Sequence, residues 1–168
     1  IDIKMAKIHI NIGSNQNREV NIAGAIDFLR LNFANIKISD IFESPAEGFE
    51  GDDFYNVGVN ASTQLSIEDV NAVLKSIEKT FGRDPTQPKF SSRLIDLDLV
   101  TYDDVINKVL NLPRNDILKY SFVLAPLAQL SADDVHPLTN QTYQQLWQSF
   151  QTDNQFELSQ YNIKKILP

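Results

Sequence analysis

Two aspartates one residue apart, Asp96 and Asp98, are the residues of this chain whose types and spacing point most directly to chemistry. They lie within residues 95–102, whose alternating pattern predicts a β-strand. Since side chains alternate between the two faces of a strand, both carboxylates point the same way. Adjacent carboxylates repel each other, and aspartate is depleted in strands. We therefore expect a divalent cation to offset the repulsion.

Three basic residues upstream of the pair, Arg83, Lys89 and Arg93, indicate phosphate as the second partner. Magnesium takes carboxylate oxygens and completes its shell with water and substrate phosphates, and two ions together suit phosphoryl transfer. Asp-x-Asp alone is a weak motif. On a solvent-facing edge strand the aspartates would instead form salt bridges with Arg93 and Lys89. An arginine followed ten residues later by Arg-x-x-Asp-x-Asp is much more specific.

The composition bounds the kind of protein that carries this motif. A length of 168 residues fits one domain over residues 1–168, large enough for a hydrophobic core. The absence of cysteine excludes disulfides, thiolate chemistry and a cysteine-based zinc site. A net charge of −7 argues against nucleic acid as a partner. The sequence shows no apolar run of membrane-spanning length and no signal-peptide pattern, so we expect a cytoplasmic protein without a membrane partner.

The elements that must position the aspartates follow from periodicity and turn signals. Their order predicts an α+β fold, a ferredoxin-like β-α-β-β-α-β core with additional C-terminal helices. Gly13-Ser14-Asn15 predicts a turn after the first strand, Ser66 is the expected N-cap and Gly82 the expected C-cap of a helix, and Pro126 is expected near the start of another. The predicted strands are residues 6–12, 35–42, 54–63 and 95–102, and the predicted helices are residues 18–31, 66–81, 122–130 and 142–150.

Several segments between about residues 7 and 150 together resemble one known family. They are Ile12-Gly13-Ser14-Asn15, Ser44-Pro45, Phe54-Tyr55-Asn56, Glu78 with Gly82-Arg83, Arg93-Leu94-Ile95-Asp96-Leu97-Asp98, Phe122-Val123-Leu124-Ala125-Pro126-Leu127-Ala128 and Val135-His136-Pro137. The chain resembles the 6-hydroxymethyl-7,8-dihydropterin pyrophosphokinase family, in the family's order and spacing. The resemblance implies that pyrophosphate passes from ATP to the hydroxymethyl group of a reduced pterin, leaving AMP, in folate biosynthesis.

The resemblance also implies which residues act. Two Mg²⁺ ions would be held by the Asp pair, two loops at residues 46–51 and 84–92 would close over ATP, and we expect a monomer. The implied catalytic residues are Arg83, Arg93, Asp96 and Asp98. The implied ATP-binding residues are Glu78, Arg83, Lys89, Arg93, Leu99, Leu110 and Arg114. The implied pterin-binding residues are Ser44, Pro45, Phe54, Asn56 and Phe122, with the two phenylalanines on either side of the ring.

Departures from the family pattern concentrate where ATP is handled. Arg114 stands in place of a histidine, Pro85 in place of a loop arginine, Tyr120 in place of a basic residue, and Phe90-Ser91-Ser92 in place of Trp-Gly-Pro. Arginine supplies charge but cannot exchange a proton near neutral pH. A divergent active enzyme is the reading we favour. The alternatives are a catalytically impaired paralogue that binds a pterin or nucleotide, or acts on another acceptor, and a non-enzymatic sensor module.

Each implied residue outside the Asp pair also has a structural reading. The two phenylalanines would be core aromatics, Asn56 would satisfy a backbone group, Glu78 would be a helix-surface partner, and Arg83 would be a surface arginine at a helix C-terminus. The two histidines, His9 and His136, are expected to be structural.

Overall fold

The structure is a computed structural model that describes residues 4–44, 53–81, 95–154 and 162–164. Within these residues six strands form one antiparallel sheet, and four α-helices accompany it. The strands are β1 (Ala6–Ser14), β2 (Ala34–Ile38), β3 (Ile41–Ser44), β4 (Phe54–Thr63), β5 (Asp96–Tyr102) and β6 (Asn162–Lys164). The helices are α1 (Arg18–Asn32), α2 (Ile67–Thr80), α3 (Ser121–Leu130) and α4 (Tyr143–Asp153).

The sheet order confirms the predicted ferredoxin-like core. The strands run β5-β1-β4-β3-β6, and β2 also pairs with β4. Because β2 and β3 both pair with β4, they fill one position of the ferredoxin-like order between them. The prediction of a single strand over residues 35–42 was wrong. Ser39 separates the two strands, since its N–H donates to the Gly58 carbonyl at 2.9 Å and its hydroxyl accepts from the Gly58 N–H at 2.8 Å.

Strand β1 continues two residues beyond its predicted end. Gly13 pairs with Asn56 and with Asp96, and Ser14 pairs with Tyr55, so the expected turn begins only at Asn15. The turn signal was misread because both neighbouring strands extend the pairing past Ile12. The extension places the Gly-Ser segment within the sheet, beside the aspartates.

The sheet has an apolar face and a polar face. On the apolar face, alternate residues of β1, β4 and β5 pack against α1 and α2 and form the main core. Helix α2 begins as predicted, since the Ser66 hydroxyl accepts from the Asp69 N–H at 3.2 Å, whereas Gly82 lies outside the described residues. The buried sheet residues of this core include Ile8, Ile10, Ile12, Val57, Val59, Leu97 and Leu99.

Helix α3 covers part of the polar face and joins α4 in a second apolar cluster. The helix begins at Ser121, so Pro126 is its sixth residue, and the prediction of a proline near the helix start was wrong. Helix α4 begins after Thr142, one residue later than predicted, and ends at Asp153. A capping box, in which Thr142 and Gln145 exchange hydrogen bonds, fixes that start.

Candidate active site

Strand register places the Asp pair and Asn56 on the polar face of the sheet. Asp96 lies opposite Gly13, which lies opposite Asn56 on the other side of β1. Asp98 lies opposite Asn11 in the same way. Residues directly opposite each other on paired strands project to the same face. The predicted metal ligands and the predicted pterin ligand therefore share one surface, separated by a single strand.

Asp98 faces Arg114, the residue that departs from the family pattern. The Arg114 Nη2 lies 3.7 Å from Asp98 Oδ1, and its Nε donates to Asp116 Oδ2 at 3.0 Å. The Arg114 backbone N–H also donates to the Val100 carbonyl at 2.9 Å, which fixes the arginine to β5. The structure therefore brings a permanent positive charge to the predicted metal and phosphate position. Asp116 orients this charge. The sequence motifs did not single out Asp116.

The donor set at the Asp pair suits magnesium. Two carboxylates on one face supply hard oxygen ligands, and Mg²⁺ in phosphate-handling sites is held by one or two carboxylates and substrate oxygens. Across the described ranges no group of three or more histidine, cysteine, aspartate and glutamate side chains is assembled for a metal. The Asp98 side chain is 43% exposed, so its oxygens are accessible to a hydrated ion.

Glu78 is buried beneath the strand that carries the aspartates. Its Oε2 accepts from the backbone N–H of Leu97 at 2.9 Å, between the two aspartates. This bond joins α2 to β5 and fixes the start of the Asp strand. The helix-surface reading of Glu78 was therefore wrong. Leu99 lies in the main core, and Leu110 packs against its edge. The ATP-binding roles of these three residues stay predictions.

Asn56 and Ser44 form the buried part of the predicted pterin site. Each is only 4% exposed. The Asn56 Nδ2 donates to Ser44 Oγ at 2.9 Å and to the Phe42 carbonyl at 3.3 Å. Its Oδ1 lies toward Gly13, where an added Cβ would come within 3.3 Å of it. The expected backbone partner of Asn56 is thus present, and the amide is held in one orientation.

The two predicted ring-binding phenylalanines are half-buried. Phe122 stacks on Tyr120 with ring centroids 5.0 Å apart and planes 19° apart, so Tyr120 covers one face of the Phe122 ring. Phe54 lies beside Gly13, where an added Cβ would be 3.9 Å from Phe54 Cδ1. Neither ring is among the buried members of the two core clusters. Both rings are therefore partly exposed to solvent, and Phe122 also packs against the second core cluster.

Several predicted residues and both predicted loops lie outside the described residues. Their roles remain predictions drawn from the sequence. They are Pro45, Arg83, Lys89 and Arg93, the loops at residues 46–51 and 84–92, and the departures at Pro85 and Phe90-Ser91-Ser92.

Both histidines are buried, which fits the structural roles expected for them. His9 lies on the polar face beneath α3 and is 1% exposed, and its Nδ1 lies 2.6 Å from Asn60 Oδ1. Burial lowers the pKa of His9 to about 4, because it removes water from the charged imidazolium, and the Asn60 bond offsets this only in part. His136 Nδ1 accepts the N–H groups of Leu138 and Thr139, which closes a turn.

Asn11 is a residue of this face that motif reasoning missed. It is 6% exposed, and its Nδ2 donates to the backbone carbonyl of Phe122 at 3.0 Å. The signal was present in the sequence, because Ile8, Ile10 and Ile12 alternate with polar residues in β1. That alternation predicts a polar sheet face. It does not predict that α3 returns to cover the face.

Comparisons with known proteins point to one family. The family model of 7,8-dihydro-6-hydroxymethylpterin-pyrophosphokinase (HPPK) matches residues 9–132. A 2-amino-4-hydroxy-6-hydroxymethyldihydropteridine pyrophosphokinase of Aquifex aeolicus is 32% identical over 138 residues, covering 80% of this chain and 86% of that protein. The Synechocystis protein of the same name is 34% identical over 131 residues, covering 75% of this chain and 66% of that protein.

Solved structures show the same fold. The HPPK-DHPS of Plasmodium falciparum, as a triple mutant with STZ-DHP, gives a TM-score of 0.72 at 13% identity and covers 96% of this chain. This chain spans 47% of the Plasmodium chain, about half its length. Of the helices described, none is long and apolar enough to cross a membrane.

Proposed function

Because the chain belongs to the HPPK family and is an ATP-using pyrophosphokinase of folate synthesis, we propose that its reaction takes place on the polar face of β1, β4 and β5. The observation that carries this proposal is the register that sets Asp96 and Asn56 on either side of Gly13. The carboxylate of Asp96 suits a metal ion and phosphate, and the amide of Asn56 suits the edge of a heterocycle. The impaired-paralogue and sensor readings are not favoured, since the curated relatives are named as pyrophosphokinases.

The pterin would be held at the β3–β4 end of this face. Asn56 keeps its amide in one orientation through Ser44 and the Phe42 carbonyl, and it would bond the edge of the ring. Phe54 and the face of Phe122 that Tyr120 does not cover would contact the two sides of the ring, as aromatic side chains do with flat heterocycles. Such a site orients the hydroxymethyl group before reaction, which lowers the barrier by positioning.

The polyphosphate would lie at the β5 end of the face. Asp96 and Asp98 would hold Mg²⁺, as two ions, which when bound neutralise charge on the transferred group. An arginine carries charge but does not exchange a proton near neutral pH, so the role of Arg114 would be to bind phosphate oxygens. Arg83, Arg93 and Lys89 would add positive charge from the preceding segment. Phosphoryl transfer asks little covalent chemistry of the protein, so positioning and charge suffice.

The overall reaction connects the two ends of the face. The pterin hydroxyl oxygen forms a bond to the β-phosphorus of ATP, the bond from that phosphorus to the AMP oxygen breaks, AMP leaves, and the hydroxyl proton is released to the surrounding water. We also propose that residues 1–168 act as a single domain and a monomer, which sedimentation of the purified chain would test.

The direct test is product analysis. The protein is incubated with ATP, Mg²⁺ and 6-hydroxymethyl-7,8-dihydropterin, and nucleotides are separated by chromatography. We expect AMP, and no ADP, to appear only when the pterin is present. ADP as the product, or AMP formation that does not depend on the pterin, would contradict the proposal.

A further inference from the structure

Helix α3 contains a backbone acceptor that the helix cannot satisfy. A residue in an α-helix donates its N–H to the carbonyl four positions earlier, and proline has no N–H. Pro126 lies inside α3, so the Phe122 carbonyl receives no bond from it. The side chain of Asn11 supplies the missing donor, with Nδ2 3.0 Å from the Phe122 oxygen. A strand residue thus completes the first turn of the helix.

Pro126 packs against the sheet next to the position of Asn11. An added Cβ at Gly58 would lie 2.6 Å from Pro126 Cβ, so the proline ring rests against the bare backbone of β4. Gly58 is directly opposite Asn11 in the β1–β4 register. The helix is therefore held at neighbouring points of one sheet face, by ring contact at Pro126 and by a hydrogen bond at Phe122.

Asn11 also lies opposite Asp98 on the other side of β1. The asparagine is 6% exposed, so its orientation is set by its surroundings rather than by solvent. Asn11 therefore lies between Asp98 on β5 and the backbone of Phe122, the residue proposed to contact the pterin. The Asn11 amide thus ties the Phe122 backbone to a strand position directly beside Asp98.

We propose that Asn11 is a positioning residue that sets the Phe122 ring for pterin binding, by pairing the carbonyl that Pro126 leaves without a helical donor. The proposal rests on the proposed function, because it assumes that Phe122 contacts the pterin. Removing the amide leaves the part-buried carbonyl of Phe122 without this donor and loosens the first turn of α3. The effect is therefore expected on the pterin more than on ATP.

A double-mutant cycle tests the proposal through the proline. Pro126→Ala restores a helical N–H that can pair with the Phe122 carbonyl. We expect Asn11→Ala alone to raise the KM for the pterin by about tenfold, with less than about a threefold change in the KM for ATP. In the Pro126→Ala background the same replacement should change the pterin KM by less than about threefold.

Asn60→Ala is the matched control. The Asn60 side chain also joins the sheet to the region of α3, through Ser131 Oγ at 2.8 Å, but at the opposite end of the helix from Phe122. It should lower thermal stability without the selective rise in pterin KM. Asn11→Ser, whose shorter side chain does not reach the carbonyl, replaces Asn11→Ala if the alanine variant does not fold.

Two outcomes would overturn the proposal. One is an Asn11 variant whose pterin KM changes no more than that of Asn60→Ala. The other is an unchanged Asn11 effect when Pro126 is alanine. Failure of the proposed function is distinguishable from both. In that case Phe122→Ala leaves pterin binding intact, while the unfolding free energies of the same cycle still report whether Asn11 and Pro126 are coupled.

Discussion

The two ends of the polar sheet face differ in how their groups are held. At the pterin end, defined by Ser44, Phe54, Asn56 and Phe122, the polar side chains are buried and bonded to each other and to backbone. At the nucleotide end, defined by Asp96, Asp98 and Arg114, the arginine forms ion pairs with Asp98 and with Asp116, and the side-chain exposures are 43% for Asp98 and 29% for Arg114.

The difference reflects what each end must recognise. A heterocycle is distinguished by a few fixed hydrogen bonds in a dry pocket, and the groups that make them must be oriented beforehand. A polyphosphate carries several charges, which a set of cations can bind without one fixed geometry. Substitutions at the pterin end should therefore change pterin affinity and stability together. Those at the nucleotide end should change rate or ATP affinity with little effect on stability.

The largest expected effect is at Asp98. Asp98→Ala removes one of the two proposed metal ligands, so kcat should fall by at least about 100-fold, since charge stabilisation in the transition state is lost. AMP release at saturating substrates measures it. Asp116→Ala is the control, because Asp116 also pairs with Arg114 but lies outside the Asp pair. Comparable losses in both variants would contradict a metal role for Asp98.

Asn56 gives the next largest effect. Asn56→Ala removes the proposed bond to the pterin and leaves Ser44 and the Phe42 carbonyl without this donor, so pterin affinity should fall by up to about 100-fold. Thermal unfolding should show a parallel loss of stability. Titration with the pterin at a saturating, unreactive ATP analogue measures the affinity. An equal loss of ATP affinity would show that the two ends are not separate.

The pH dependence of the unfolding free energy tests whether the burial at the pterin end continues along the same sheet face as far as His9. The His9 pKa is lowered to about 4 from an ordinary 6.5, so the unfolded state binds more protons between these values. The contribution of buried, neutral His9 to the unfolding free energy is complete above pH 6.5 and falls as the pH drops toward 4. Between pH 7 and pH 4.5 this loss should be roughly 2 kcal/mol. Urea unfolding measures it, and a His9→Gln variant with an identical pH dependence would refute it.

The smallest effect is expected at Arg114. Arg114→Ala should raise the KM for ATP by about three- to tenfold and leave the pterin KM unchanged, because a partly exposed arginine contributes modestly. Steady-state kinetics measure both constants. Arg114→His is the sharper companion, since it restores the family residue. A large gain in kcat in that variant would show that the natural nucleotide end is impaired.

Much of the fold followed from the sequence because its signals are local. Apolar periodicity identified α2, and Ser66 correctly marked its start. Errors arose where a distant partner decided the structure. Gly13 and Ser14 continue a strand because β4 and β5 pair with them, and Pro126 is tolerated inside α3 because Asn11 and Gly58 accommodate it.

The same difference between local signals and distant partners applies to the candidate site. The alternation around Asp96 and Asp98 was enough to predict their shared face. The contact between Asp98 and Arg114 joins β5 to a segment after it, and no local pattern encodes it. The burial of Glu78 against Leu97 was likewise not predictable, since a glutamate in an amphipathic helix ordinarily faces solvent.

A crystal structure of this chain with Mg²⁺, an unreactive ATP analogue and the pterin tests the division of the polar face most directly. We expect the pterin edge on Asn56, its ring against Phe54 and Phe122, and metal density on Asp96 and Asp98 beside Arg114. A pterin bound away from Asn56, or metal bound without either aspartate, would contradict it.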